Sequence, residues 1–220
     1  MIKIRASEIT NKWFNGENRA NFETGLVDLM GVDIETNKLK PEGPVGVKSR
    51  DYIVGLVKDY VCKHAQVVNN NDVELLFKDV DTITEKNLSP LLRILPGVKQ
   101  LLEKIRQLGI EVVITSTDIT SRATKAMDAL GLKSYFTEII GGDSVKNTKP
   151  APDLAQLALS KIGCHPSNVV VIGDHPVDMF MGIGADIKTN IGVLNGISKK
   201  ENFSQCDCIL VESLCDIDVV

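Results

Sequence analysis

"VVVIGDHPVD", residues 169–178, runs four apolar residues into Gly173 and then places Asp174 and Asp178 four positions apart. A continuous β-branched run of this length predicts a strand covered on both faces, as in a parallel sheet. The residues after Gly173 predict a turn into a helix. One carboxylate at a strand end and a second just inside the next helix converge on one spot above the sheet, where two negative charges require a cation. Mg²⁺ suits them, because it takes one or two protein carboxylates and fills its octahedron with water and phosphate oxygens. Asp174 as a helix N-cap with Asp178 as an exposed first-turn acid is the structural alternative.

Outward from this stretch the chain alternates between two periods from Pro96 onward. "GVKQLLEKIRQLG" carries a helical stripe at Val98, Leu101, Leu102, Ile105 and Leu108. "IEVVITST" predicts a strand buried on both faces. "SRATKAMDALGL" and "PDLAQLALSKIG" predict helices, with the short strand "FTEIIGGD" between them. After residue 178, "KTNIGVLNG" and "CDCILVESL" predict further strands. Strands alternating with helices of this length predict βαβ units and a doubly wound, Rossmann-like α/β parallel sheet, with ligands at the carboxyl ends of its strands. Residues 9–92 differ: "NKWFNGENRANFETGLVDLMG", "SRDYIVGLVKDYVCKH" and "DVELLFKDVDTITEKN" show helical spacing only. The predicted division is therefore 1–8 as a first-strand remnant or its substitute, 9–92 as a helical segment and 93–220 as the α/β core.

Two further features fall at predicted strand ends. In "VVITST", Ser116 stands at the mouth of the sheet between Thr115 and Thr117. A hydroxyl there and the backbone N–H groups that follow bind a phosphate oxygen, and the same residues also cap helices. In "NTKPAPD", Pro150 and Pro152 restrict the backbone beside Lys149, so that its ammonium is held in one place to neutralise a phosphate. A proline-rich turn that leads into a helix is the alternative reading of this stretch.

Composition excludes several classes. A net charge of −4 and a pI near 5.5 argue against an electrostatic grip on nucleic acid or anionic lipid. No apolar run reaches membrane-span length, and "MIKIRASEIT" lacks a secretory leader pattern, so a soluble, cytoplasmic chain, monomer or homodimer, is expected. Cys62, Cys164, Cys206, Cys208 and Cys215 have no paired spacing, and His64, His165 and His175 are scattered. No GxGxxG or GxxxxGK[ST] loop is present. Receiver domains also set acids, a hydroxyl and a lysine around Mg²⁺, but in the order acids first and lysine last.

Hydroxyl, lysine and acidic pair, each after a βα unit, is the order of the second, third and fourth motifs of the haloacid dehalogenase superfamily. "GIEVVITST", "GGDSVKNTKPAPDLAQLALSKIG", "VVVIGDHPVDMFMGIGA" and "IGVLNG" resemble its phosphoglycolate-phosphatase-like members over residues 95–215. The helical region before Pro96 is similar in position and size to that family's inserted cap, and "PGVKQLLEKI" to the re-entry into the core. The resemblance implies a Mg²⁺-dependent phosphatase acting on a small phosphorylated metabolite, such as phosphoglycolate or a sugar phosphate, through an aspartyl-phosphate. In it Asp174 and Asp178 hold the metal, Lys149 and Ser116 are catalytic, and Ser116, Thr117 and Lys149 bind phosphate. Metal ligands favour phosphate chemistry over dehalogenation.

The family's first motif, a strand ending in Asp-x-Asp-Gly-Thr, has no counterpart in this sequence. Met1 as an internal methionine with that strand upstream, a pocket kept for binding or regulation without catalysis, and Glu8 as a substitute nucleophile are three expectations. Asp28 in "LVDLMG" is a local match, but Phe22, Leu26, Leu29 and Met30 predict a helix there. A missing central strand leaves its neighbours' backbone groups unpaired, which "MIKIR" or a partner chain is expected to cover. Arg19, Lys48 and Arg50 are candidate cations for an anionic substrate group.

Overall fold

The computed structural model describes residues 1–85 and 88–219. The chain divides into two units, Met1–Leu91 and Leu92–Val220.

The first unit is built from helices because its apolar residues recur on single stripes. These are α1 (Ile2–Trp13), α2 (Arg19–Leu29), α3 (Arg50–His64) and α4 (Asn70–Glu85). Ile9, Leu26, Met30, Val57, Val61, Val73, Phe77 and Val80 form the centre of its core. The expected strand at "MIKIR" is corrected here. Arg5, Ala6, Ile9, Thr10 and Trp13 are the buried residues of α1, a period of 3.6. The apolar alternation of Ile2 and Ile4 is too short to compete with that stripe, so residues 2–8 belong to a helix and not to the sheet.

Inside this unit Arg5 Nη2 meets Asp81 Oδ1 at 2.6 Å and Arg50 Nη1 meets Asp81 Oδ2 at 2.6 Å. Arg50 Nε also donates to both Glu74 oxygens, at 2.9 and 3.0 Å. The two guanidinium carbons lie 4.6 and 5.5 Å from the Phe77 ring centroid. Burial disfavours the Arg50 charge, but the bonds to Glu74 and Asp81 outweigh it and raise its pKa. Arg50 is thus engaged within the helical core, which corrects its expected role as a substrate-facing cation. Arg19 bonds to Asn11, and Lys48 lies over the Tyr52 ring.

The second unit alternates between helix and strand as far as β4, and a 3-10 turn at Lys200–Phe203 replaces the helix before the last strand: α5 (Val98–Gln107), β1 (Val113–Thr115), α6 (Thr120–Ala129), β2 (Glu138–Ile140), α7 (Asp153–Ile162), β3 (Val170–Gly173), α8 (Pro176–Gly184), β4 (Thr189–Val193) and β5 (Ile209–Val211). Every pairing is parallel, as βαβ crossovers require. Ile140, Leu154, Ala155, Met181, Ala185 and Ile187 form its buried cluster, and Val113 and Val171 pack against it. α7 and α8 therefore roof both β1 and β3 on one face.

The sheet is in two pieces. β1 pairs with β2, and β3, β4 and β5 pair in that order, with no ladder between β1 and β3 among the described residues. This corrects the expectation of strands covered on both faces. Val170 and Ile172 are 49% and 39% exposed, and all of β1 is half-buried. A β-branched run reports what side chains suit a pleated surface, not whether neighbours are present to cover them. All five cysteines are unpaired thiols. Among the described residues no helix is long and apolar enough to cross a membrane.

Asp81 holds two buried guanidinium groups, so its removal leaves uncompensated charge. Asp81→Asn is expected to lower the stability of the helical unit by about 3–5 kcal/mol in urea unfolding. A loss under about 1 kcal/mol would show that the network is incidental to the helical core.

Candidate active site

The polar residues gather beyond the carboxyl ends of β1 and β3, where the helices that follow begin. Lys149 precedes α7 and extends to both. Its Nζ donates to the Thr115 carbonyl at 2.8 Å and to Asp178 Oδ1 at 2.6 Å. The two side chains of this ion pair are 10% and 11% exposed, so it is largely desolvated. One ammonium thus ties the end of one half-sheet to the helix that follows the other.

Asp178 is placed by the start of α8. His175 is the N-cap and Pro176 the first helical residue. His175 Nδ1 accepts from the Val177 N–H at 3.2 Å, and Asp178 Oδ2 accepts from the His175 N–H at 3.2 Å, a reciprocal capping box. A side chain at position 173 is excluded, because a Cβ there would lie 2.5 Å from Asp178 Cγ. Gly173 lets the carboxylate fold back over the strand end.

Asp174 faces a different neighbour. Its Oδ2 accepts from the Ile197 N–H at 2.9 Å and its carbonyl from the Ser198 N–H at 3.2 Å, so the loop after β4 wraps it. A Cβ on Gly196 would collide with the Asp174 side chain. In the same loop Asn195 Oδ1 and Ser198 Oγ are buried with no hydrogen-bond partner among the described residues. Buried oxygens of this kind ordinarily hold water or an ion.

Ser116 follows Thr115 directly. Its N–H continues the ladder to the Ile140 carbonyl at 2.9 Å, and its Oγ accepts from the Asp118 N–H at 3.1 Å, which leaves the hydroxyl hydrogen to donate elsewhere. Thr117 continues the same turn, with its carbonyl against Gly142. Asp118 pairs with Arg122 at 3.5 Å, and Asp143 accepts from the Thr120 N–H and hydroxyl at 2.8 Å each. The structure joins Lys149 to Asp178 and sets Ser116 beside their Thr115 anchor. Glu8 and Asp28 are on α1 and α2, helices of the first unit. Asp28 pairs with Lys40 at 2.6 Å.

Two participants escaped the sequence reading. The Thr115 carbonyl leaves no residue signature, since every residue has one. The His175 cap was legible in "DHPVD", where a polar residue, then Pro, then an acid two positions later mark a helix start.

The family model for haloacid dehalogenase-like hydrolases matches residues 36–191, which includes Ser116, Lys149, Asp174 and Asp178. The chain belongs to this family. Pyrophosphatase PpaX of Oceanobacillus iheyensis is 25% identical over 177 residues, 77% of this chain and 82% of that protein. Phosphoglycolate phosphatase of Aquifex aeolicus is 29% identical over 98 residues, 44% of this chain and 46% of that one. Among solved structures, β-phosphoglucomutase from Clostridium difficile superposes with a TM-score of 0.70 at 18% identity, over 99% of this chain and 86% of that chain. CbbY from Rhodobacter sphaeroides gives 0.67 at 16% identity, over 97% and 88%. These likenesses establish the haloacid dehalogenase-like fold.

In this family member Gly173 controls where Asp178 sits. Gly173→Ala is expected to displace Asp178, weaken its pairing with Lys149 and destabilise the α/β unit by about 1–3 kcal/mol, as overpacking does. Denaturant midpoints and the Asp178 carboxyl ¹³C shift test this. Wild-type values for both would mean that Asp178 does not need the space above position 173.

Proposed function

We propose that this chain is the phosphate-handling part of a Mg²⁺-dependent phosphatase that acts on a small phosphorylated metabolite. The observation that carries the reading is the Lys149 ammonium, held between the Thr115 carbonyl and Asp178 at the strand ends. An ammonium restrained in this way has its charge placed before substrate arrives, so little ordering is left for the reaction. Its third N–H is available to a phosphate oxygen. The Ser116 hydroxyl accepts from the Asp118 N–H and has its own hydrogen to donate to another.

The acidic side chains fit Mg²⁺. Asp174 and Asp178 are hard oxygen donors, each already oriented by one backbone N–H, and the orphaned Asn195 and Ser198 oxygens add polar surroundings beside Asp174. Asp174 and Asp178 would hold the ion, which supplies positive charge to phosphate oxygens when bound. Lys149, Asp174 and Asp178 carry one excess negative charge among them, and that excess favours a cation over a second anion.

Names carried by relatives, pyrophosphatase and phosphoglycolate phosphatase, support phosphate-ester or anhydride hydrolysis and leave a range of small substrates. We assign the helical unit, Met1–Leu91, the role of a cap that selects among them. A second reading is phosphate binding without turnover, favoured by the helical placement of Glu8 and Asp28.

The test is a paired one. Hydrolysis of p-nitrophenyl phosphate is measured with and without Mg²⁺, and inorganic phosphate binding is measured by calorimetry. Mg²⁺-dependent turnover supports the phosphatase; Mg²⁺-dependent phosphate binding alone supports the second reading; neither result contradicts both. Lys149→Met is expected to weaken phosphate binding about ten- to a hundredfold, the worth of one charge-assisted hydrogen bond. Asp174→Asn is expected to raise the Mg²⁺ concentration needed for either effect.

A further inference from the structure

We infer that Asp118 determines substrate specificity: its carboxylate receives an ammonium group on the alcohol part of the phosphate ester and turns away a second carboxylate or phosphate. The inference rests on the phosphatase reading and narrows the substrate class within it, to small phosphate monoesters that carry an amine.

Asp118 is fixed to the phosphate-handling turn from both sides. Its N–H donates to Ser116 Oγ at 3.1 Å, and its carbonyl accepts from the Gly142 N–H at 2.8 Å. Position 141 has to be glycine for this approach, because a Cβ there would lie 2.1 Å from the Thr120 nitrogen and 2.6 Å from the Asp118 carbonyl oxygen. With the backbone pinned, covalent geometry keeps the Asp118 carboxylate within roughly 7 Å of the Ser116 hydroxyl. An amine two carbons beyond the ester oxygen of a phosphate held there spans a similar distance.

An acid just before a helix ordinarily serves the helix N-terminus. Here that service comes from elsewhere. α6 begins at Thr120 with Ile119 as its N-cap, and the Thr120 N–H and hydroxyl both donate to Asp143 Oδ1 at 2.8 Å. Asp118 Oδ1 accepts from the N–H of its neighbour Ile119 at 2.9 Å, which holds the carboxylate beside the turn. Its Oδ2 is 3.5 Å from Arg122 Nη1, an ion pair beyond the length of a short hydrogen bond.

Exposure decides which member of that pair a ligand meets. The Asp118 side chain is 40% exposed and that of Arg122 9%. The guanidinium is thus behind the carboxylate, and an incoming molecule meets negative charge. An ionised carboxylate has about four acceptor sites, so its two contacts leave capacity for an ammonium. With Lys149 given to the phosphate, phosphoglycolate would bring a second carboxylate toward Asp118, whereas an amino-alcohol phosphate brings the complementary charge.

Three ligands of similar length separate charge from shape: phosphoethanolamine, 2-hydroxyethyl phosphate and phosphoglycolate. Each is titrated by calorimetry against the full chain with Mg²⁺, inorganic phosphate being the reference, and compared by kcat/KM where turnover occurs. Phosphoethanolamine is expected to be favoured about threefold over 2-hydroxyethyl phosphate, the worth of one half-exposed ion pair. Over phosphoglycolate the expected preference is about tenfold, because attraction becomes repulsion. Asp118→Asn is expected to abolish both preferences and Asp118→Lys to reverse the second. A merely structural role would weaken all three ligands alike and keep the preferences, which would overturn the inference. Equal or tighter binding of phosphoglycolate by the wild-type chain would also overturn it, whether or not the variants fold. Inorganic phosphate binding without discrimination among the esters contradicts this inference alone; no binding of inorganic phosphate contradicts the phosphatase reading with it.

Discussion

One ammonium group spans the discontinuity on which the α/β unit turns. Lys149 donates to the last carbonyl of β1 and to the first-turn carboxylate of α8, so two half-sheets that share no ladder share a residue. A largely desolvated ion pair adds little net stability over an apolar pair of the same shape, but the loss of one partner strands the other's charge. Its effect is on position. Asp178, paired with Lys149, lies over the space that a Cβ at Gly173 would fill, and Ser116 follows Thr115 by one residue.

The division of labour between the units has the same physical basis. In the helical unit, Asp81 and Glu74 together neutralise Arg5 and Arg50 around Phe77, and the charges are consumed internally. At the sheet ends charges are held at one side and left open at the other. Asp174 is bound by the loop after β4, Asp178 by its own helix start, and both keep acceptor capacity. The haloacid dehalogenase-like fold matches solved structures over nearly the whole chain, while the chemical reading depends on these few oriented groups.

Much of this was legible in the sequence, for reasons that differ by element. The helices of the α/β unit were readable because an apolar stripe at period 3.6 has one solution. The strands were readable as β-branched runs, but their neighbours were not: "VVVI" specifies a pleated apolar surface and says nothing of which edge is paired. "MIKIR" misled because two alternating isoleucines fit period 2, while the residues that decide the period, Arg5, Ala6 and Ile9, include a buried arginine whose ion-pair partner, Asp81, is distant in sequence. Arg50 misled in the same way. Lys149, Asp174 and Asp178 stood out as candidates because each follows a strand run with unusual local chemistry. The Thr115 carbonyl and the orphaned Asn195 and Ser198 oxygens were not, since their meaning lies in what surrounds them.

Amide hydrogen exchange along β1, resolved by NMR on the chain alone, tests the break in the sheet most directly. Ile114 and Ser116 donate toward β2, whereas Val113 and Thr115 donate toward the gap. The account predicts slow exchange at Ile114 and Ser116 and fast exchange at Val113 and Thr115. Equal protection of all four would mean that β1 is paired on both edges, and the two half-sheets joined through Lys149 would then be the wrong description of this fold.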